Sequence, residues 1–216
     1  MVYPKDKATL LPRPISICEV RDNMIRLVFR VAGKGTAEFS DLVAGERIRI
    51  LGPLGNGFPL DKAEGNVVLM GGGIGIPPIL ELSRKLKAVN PVSILGYRNA
   101  DTFLSKDFAE YGNVLFASED GSVGAKGNVM DALKASGIKP DVIMACGPMP
   151  MLRAIKAYAA EQGIKAYISL EERMACGVGA CLGCVCKTVH KDEHSHVNNA
   201  RVCTEGPVFS AEEVDI

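Results

Sequence analysis

The sequence predicts a β-barrel domain, then an α/β domain with a parallel sheet, then a small C-terminal module. Residues 1–62 carry short β-like runs punctuated by glycines. Residues 63–170 alternate apolar strands with amphipathic helices. Residues 171–216 are dominated by cysteine, glycine and polar residues and hold too little apolar material for a core of their own. Since 47% of the 216 residues are apolar, the chain as a whole can bury a core.

Charge and hydropathy exclude several classes of protein. The 25 Lys and Arg residues balance the 25 Asp and Glu residues, so nothing in the net charge attracts nucleic acid or anionic lipid. The longest apolar runs have about five residues, whereas a membrane helix needs about 20. No N-terminal stretch resembles a secretory signal. We therefore expect a cytoplasmic protein with no nucleic-acid or membrane partner.

In the N-terminal domain, the clearest strand predictions are residues 24–31 and 46–51, with a short helical stretch near 36–42. The α/β domain shows five apolar strands, at residues 67–70, 92–97, 114–118, 142–146 and 166–170. Three helices are predicted between them, at about residues 78–87, 129–136 and 149–162. This alternation implies a parallel sheet with layers packed on both of its faces.

The cysteines are the most informative residues of the C-terminal module. An odd total of seven in a chain without a secretory signal argues against a disulfide framework. Cys176, Cys181, Cys184 and the distant Cys203 have the C-x4-C-x2-C…C spacing of plant-type [2Fe–2S] ligands. A structural zinc site and buried cysteines without a metal are the alternatives. Cys186 competes for the fourth ligand position, because in a strand it would face the same side as Cys184.

A glycine-rich turn predicts a nucleotide site in the α/β domain. Gly71, Gly72, Gly73 and Gly75 follow the first apolar strand and open a helix, so backbone N–H groups can approach a phosphate. The turn lacks the G-x-G-x-x-G spacing, and a tight packing turn is the alternative. The sequence Cys146-Gly147-Pro148 closes the fourth strand at the same edge of the sheet, where ligands of open α/β sheets bind.

Two N-terminal motifs suit a dinucleotide. Arg13-Pro14-Ile15-Ser16 offers a guanidinium for a pyrophosphate and a hydroxyl for a flavin ring. Gly33-Lys34-Gly35-Thr36 precedes the short helical stretch. Taken alone, each motif is equally compatible with a solvated turn or strand.

Taken together, these motifs resemble the ferredoxin–NADP reductase superfamily over essentially the whole chain. The shared order is RPIS, GKGT, GPLGNGF, GGGIGIPP, CGP and the cysteine cluster. Within that superfamily, EERMACGVGACLGCVCKT and VCTEGPVF resemble the electron-transfer subunits of type B dihydroorotate dehydrogenases. The resemblance implies FAD in domain 1–62, NADH at domain 63–170 and a [2Fe–2S] cluster in module 171–216.

The resemblance also implies site residues. The residues that match FAD-binding motifs are Arg13, Pro14, Ile15, Ser16, Val28, Phe29, Arg30, Gly35 and Thr36. The residues that match the cluster ligands are Cys176, Cys181, Cys184 and Cys203. The NADH hydride would pass to the flavin, which delivers electrons singly to the cluster. An FMN-containing dihydroorotate dehydrogenase catalytic subunit would receive them in pyrimidine biosynthesis, in a heterotetramer of two catalytic and two electron-transfer subunits.

The chain departs from the family in two places. Family members carry about 40 further N-terminal residues that form the first barrel strands, so we expect an unpaired edge near residues 1–5 and weak FAD binding. The segment after Cys184 is long and carries His190, His194 and His196, which we interpret as an exposed hairpin rather than a metal site. Alternative functions are an NADH/ferredoxin-type reductase, a hydrogenase-linked flavoprotein subunit, or a non-catalytic iron–sulfur module if FAD is not held.

Overall fold

The computed structural model describes residues 1–6, 8–193 and 196–216. The N-terminal elements are β1 (Val2–Tyr3), β2 (Ile17–Arg21), β3 (Met24–Leu27), α1 (Lys34–Ser40) and β4 (Arg49–Ile50). The central elements are β5 (Val67–Gly72), α2 (Ile76–Lys85), β6 (Val92–Tyr97), α3 (Ser105–Phe108), β7 (Asn113–Ser118), β8 (Ala125–Lys126), α4 (Val129–Ser136), β9 (Val142–Cys146), α5 (Met149–Gln162) and β10 (Lys165–Ser169). The C-terminal strands are β11 (Val185–Lys187), β12 (Asn199–Arg201) and β13 (Val208–Ser210).

The central sheet has seven strands in the order β13-β10-β9-β5-β6-β7-β8. All neighbouring pairs are parallel except β10 and β13, so the predicted α/β fold class is confirmed. Every residue of β5 and β9 is buried, as expected for central parallel strands covered on both faces. Two apolar cores lie on opposite faces, one beneath α4 and α5 and the other beneath α2.

Local chemistry accounts for both ends of α4 and for the end of α5. Asn128 caps α4 by accepting a hydrogen bond from the Met130 N–H at 2.8 Å, and Gly137 ends the helix in the left-handed conformation. Gly163 ends α5 in the same way. The buried stripe of α5 contains Leu152, Ile155 and Ala159, which is the periodicity that predicts this helix.

The N-terminal domain contains less regular strand than the sequence predicts. The predicted strand 24–31 ends at Leu27, and the predicted strand 46–51 shrinks to β4. In the described structure, residues 28–31 and 46–48 do not pair with any strand, so no ladder of backbone hydrogen bonds holds them in the extended conformation. The expectation of an unpaired edge at residues 1–5 is wrong for β1, because Val2 pairs with Ile50 on one side and bridges to Arg13 on the other.

The C-terminal module is joined to the α/β domain. Strand β13 extends the central sheet by pairing with β10, with Phe209 opposite Ile168. Val202 and Val214 are fully buried in the same core as the central strands. The apolar residues of the module therefore pack in the core of the α/β domain. None of the described helices is long and apolar enough to cross a membrane.

Candidate functional site

The structure gathers the four cysteines of the predicted cluster, which we call the clustered cysteines: Cys176, Cys181, Cys184 and Cys203. They come from the loop between β10 and β11 and from the turn after β12. Their thiols form two contacting pairs, Cys176 with Cys181 and Cys184 with Cys203. In a [2Fe–2S] cluster each iron is held by two cysteine thiolates, so two pairs of thiols fit such a cluster.

Backbone N–H groups point at these sulfurs. Val178 and Cys181 donate to Cys176 Sγ at 3.4 Å, and Gly179 donates to Cys203 Sγ at 3.2 Å. The Val178 and Cys181 N–H groups, helped by the Cys181 thiol, lower the pKa of Cys176 to about 6. The loop therefore stabilises thiolate, the form that binds iron.

Burial differs across the four sulfurs. Cys184 and Cys203 are 2% and 3% exposed, Cys176 is half-buried and Cys181 is exposed. Around Cys181 the surface is apolar, because Val178 and Leu182 are 54% and 60% exposed. The site thus has a buried side against the core and an open apolar side.

The other cysteines lie apart from this group. Cys186 is buried, and the pKa of its thiol is raised by that burial, with a hydrogen bond to the Ala200 backbone opposing the rise. Cys18 lies in the core beneath α2. Within residues 1–6, 8–193 and 196–216, no three His, Cys, Asp or Glu side chains meet closely enough to hold a single metal ion. His190 and His196 are exposed, and His194 lies outside the described residues.

The glycine turn and the Cys146-Gly147-Pro148 segment meet at the C-terminal edge of the sheet. Gly71 on β5 is directly opposite Cys146 on β9. The chain runs from β5 through β6 to β7 on one side and from β9 to β10 on the other, so the crevice lies where the strand order reverses. Ligands of open α/β sheets bind at such a point.

Several glycines at this edge have no room for a side chain. A Cβ on Gly75 would lie 2.2 Å from the Cys146 carbonyl oxygen. Cβ atoms on Gly72 and Gly147 would lie 2.6 and 2.9 Å from the Met151 sulfur, so Met151 covers both glycines. Because α2 carries prolines in its first turn, the N–H donors toward a phosphate would come from the glycine turn rather than from the helix.

A polar group beside Cys146 links this edge to the N-terminal domain. Ser169 on β10 is opposite Cys146 and hydrogen-bonds to its thiol, whose pKa burial raises to about 12. Glu171 interacts electrostatically with Cys146 and with Arg30. Although the residue is exposed, shielding of the carboxylate from water raises the pKa of Glu171, and Arg30 opposes that rise.

The two N-terminal motifs also converge. The Arg13 guanidinium lies against Gly35, where an added Cβ would be 2.7 Å from Arg13 Cζ. The Thr36 hydroxyl accepts from the Ala32 N–H at 2.8 Å and donates to the Gly33 carbonyl at 3.0 Å, so it shapes the turn itself. The bare Gly35 backbone beside a guanidinium fits a pyrophosphate.

The remaining motif residues surround this point. Pro14, Ile15 and Ser16 precede β2 rather than lying on a strand, and Ser16 is exposed. Val28 and Phe29 follow the end of β3, so they too lie outside a strand, and Phe29 packs edge-on against Phe39 at 5.8 Å.

Sequence reasoning missed Ser169, Glu171 and Met151. Ser169 and Glu171 lie at the C-terminal end of the last predicted strand, next to Cys146. The C-terminal ends of parallel strands meet at one edge of the sheet, and this rule could have identified both residues from the sequence. The sequence carries no comparable signal for the position of Met151.

Comparison with known proteins agrees with this geometry. Residues 171–215 match the family model described as the iron–sulfur cluster binding domain of dihydroorotate dehydrogenase B. The electron transfer subunit of dihydroorotate dehydrogenase B (NAD(+)) from Geobacillus thermodenitrificans is 44% identical over 212 residues, which are 95% of this chain and 80% of the relative. The corresponding subunit from Bacillus cereus is 46% identical over 214 residues, which are 96% of this chain and 81% of the relative.

Two solved structures share the fold. An NADH-dependent reduced ferredoxin–NADP oxidoreductase superposes with a TM-score of 0.87 at 30% identity, over 99% of this chain and 77% of that one. A flavohemoglobin from Malassezia yamatoensis, 20% identical, superposes with a TM-score of 0.62 over 76% of this chain and 47% of that one. The flavohemoglobin supports the fold alone. The fold and the sequence relatives confirm the resemblance that the motifs predict: this chain belongs to the family of electron transfer subunits of dihydroorotate dehydrogenase B.

Proposed function

We propose that this chain passes electrons from NADH through FAD and a [2Fe–2S] cluster to an FMN-containing dihydroorotate dehydrogenase catalytic subunit in pyrimidine biosynthesis. The observation that carries the proposal is the gathering of the clustered cysteines in two thiol pairs with backbone donors aimed at their sulfurs. We assign FAD to residues 1–62, NADH to residues 63–170 and the cluster to residues 171–216.

Each group has fitting residues. Arg13 and the Gly35 backbone would hold the FAD pyrophosphate, and the glycine turn would hold that of NADH at Gly73, which has open space beside it. When bound, the flavin supplies the exchange between two-electron and one-electron chemistry that NADH oxidation requires. The chain's own contribution is to orient these groups, and the electrostatic interaction of Arg30 with Glu171 links the domain assigned to FAD to the segment that directly follows β10.

An acidic turn favours NADH over NADPH. Glu119 and Asp120 follow β7 at the same edge of the sheet, and both are exposed. Asp120 accepts hydrogen bonds from the Ser122 hydroxyl at 2.6 Å and the Ser122 N–H at 2.9 Å, which lower its pKa and keep it ionised at neutral pH. An acidic side chain suits a ribose 2′-hydroxyl and repels a 2′-phosphate.

The open side of the cluster site is where electrons would leave. The exposed apolar surface of Val178 and Leu182 beside Cys181 suits a transient or stable protein contact. We propose that the catalytic subunit docks here, in a heterotetramer of two catalytic and two electron-transfer subunits. The seven cysteines are all free of disulfides, as a reducing cytoplasm would keep them.

The test is anaerobic reduction of the reconstituted protein with and without the catalytic subunit. NADH is expected to bleach the flavin, produce the EPR signal of a reduced [2Fe–2S] cluster and, with the catalytic subunit present, support orotate reduction. A reduced cluster that never supports orotate reduction would disprove the proposed partner.

A second candidate is an NADH/ferredoxin-type reductase. It is favoured by the 30% identity and the TM-score of 0.87 to the reduced ferredoxin–NADP oxidoreductase. The same anaerobic sample separates the two functions by acceptor. Rapid ferredoxin reduction without orotate reduction would favour the second candidate.

A further inference from the structure

Residues 54–56 of the N-terminal domain, here called the docking segment, contact the turn that carries Cys203. Asn56 Nδ2 donates to the carbonyl oxygens of Thr204 and Glu205, each at 3.0 Å. The Asn56 N–H donates to the Gly206 carbonyl at 2.6 Å. One asparagine therefore binds three successive carbonyl groups directly after a clustered cysteine.

The docking segment also approaches the loop that carries Cys176. Gly177 is buried, and a Cβ on it would lie 2.7 Å from Met1 Cγ and 3.1 Å from Leu54 Cδ1. In the middle of the segment, Gly55 has φ of +71°, and a Cβ there would lie 2.6 Å from the Gly206 carbonyl oxygen. The two cysteine-bearing loops thus pack against one short stretch of the domain assigned to FAD.

The turn that Asn56 holds is itself compact. The N–H groups of Thr204, Glu205 and Gly206 all donate to the Arg201 carbonyl, at 3.1, 2.8 and 3.3 Å. A displacement at one end of so short a turn is therefore transmitted to Cys203. The hydrogen bonds of Asn56 link that end of the turn to the N-terminal domain.

The Asn56 contacts matter more for the position of the Cys203 turn than for the stability of the module. Asn56 is exposed, so water can replace its hydrogen bonds when the side chain is removed. The module keeps its own anchors, since β13 pairs with β10 and Val214 is fully buried. Loss of the Asn56 side chain should therefore leave the module folded while loosening the Cys203 turn, which the Asn56 backbone N–H still holds at Gly206.

We propose that Asn56 is a positioning residue for electron transfer from the flavin to the cluster. This inference rests on the proposed function. It states that one side chain of the domain assigned to FAD positions the Cys203 ligand of the cluster. When both groups are bound, the reduced flavin would lose one electron in this step and one iron(III) of the cluster would become iron(II). The electrons come from NADH, and the hydride step does not involve Asn56.

The experiment compares wild type with Asn56→Ala and Asn56→Asp, both of which lack the donating amide. Asn113→Ala is the matched control, because Asn113 is an exposed asparagine at the start of β7. Anaerobic stopped-flow follows flavin bleaching and cluster reduction separately after NADH is added. Hydrogen exchange of residues 202–207 measures how firmly the hydrogen bonds of the turn are held, without any turnover.

In both Asn56 variants, we expect unchanged flavin reduction, a full cluster EPR amplitude and cluster reduction slowed about tenfold, since small displacements are costly in a positioned reaction. Exchange at residues 202–207 should rise about fivefold, as expected for the loss of a typical hydrogen bond. The Asn113→Ala control should match wild type.

Three results would overturn the inference: cluster reduction at the wild-type rate, loss of the cluster signal in both variants, or flavin and cluster reduction slowed equally. The second would make Asn56 a residue that holds the fold of the module. If wild type itself reduces its flavin but never its cluster, the proposed function fails instead.

Discussion

Gly75 is the position where one methyl group should do the most damage to the nucleotide edge. Its φ of −79° suits any residue, so the backbone conformation does not oppose a Gly75→Ala substitution. The obstacle is steric, because the new Cβ would lie 2.2 Å from the Cys146 oxygen and 2.4 Å from its carbonyl carbon. Both atoms belong to backbone at the end of a buried central strand, which cannot rotate away.

The magnitude follows from the cost of overpacking. Overpacked cores lose about 1–3 kcal/mol, and a clash between two backbones belongs at the upper end. For a chain of this length, about 3 kcal/mol corresponds to a fall in Tm of about 6–12 °C. Gly73→Ala is the matched control, because nothing lies within 4 Å of its Cβ position and only its φ of +53° opposes alanine. That strain costs about 1–2 kcal/mol, or a fall of about 2–8 °C.

Thermal unfolding followed by circular dichroism measures both variants on the same preparation. We expect Gly75→Ala to unfold several degrees below Gly73→Ala. If Gly75→Ala unfolds within 2 °C of wild type, or above the control, the close approach of the glycine turn to β9 cannot have the energetic weight assigned to it.

Three further predictions concern the cysteines. Replacing any one clustered cysteine with serine should abolish the [2Fe–2S] EPR signal, whereas Cys186→Ser should retain it; the opposite pattern for Cys186 and Cys203 would reverse the ligand assignment. In Cys181→Ser, NADH should still bleach bound FAD in stopped-flow absorbance, because hydride transfer precedes the one-electron step; loss of bleaching with FAD retained would contradict the order of carriers. Burial raises the pKa of Cys18 from 9.0 to about 11, so the unfolded chain loses this proton first as pH rises. Between pH 9 and 11 the unfolding free energy of wild type should therefore fall by about 2 kcal/mol more than that of Cys18→Ala, measured by urea denaturation; equal slopes would show that the thiol does not titrate as described.

Local patterns in the sequence were sufficient for the α/β domain. Its strands are continuous apolar runs, its helices carry a periodic stripe, and Gly137 and Gly163 end two of them in a conformation that glycine adopts at little cost. The C-x4-C-x2-C spacing likewise predicts a cluster loop, because the ligands of one tight loop are close in sequence. These features depend on interactions between near neighbours, which a sequence displays directly.

The N-terminal domain was less predictable because strand length depends on partners. Residues 28–31 and 46–48 carry strand-like sequence, but without a neighbouring ladder in the described structure they do not form regular strands. Strand propensity shows that a segment can adopt the extended conformation, but pairing with a neighbouring strand determines whether it does.

The sequence alone therefore determined the fold class, the glycine turn and the cysteine loop. The sequence favours Cys203 over Cys186 as the fourth ligand, and the tertiary structure adds that the Cys203 thiol lies against that of Cys184. Only the tertiary structure shows the electrostatic interaction of Arg30 with Glu171 and the hydrogen bond of Asn56 to the Thr204 carbonyl, the latter pair lying 148 residues apart. Such interactions depend on how the sheet and the domains pack, and no local pattern in the chain encodes the meeting of polar groups from distant segments.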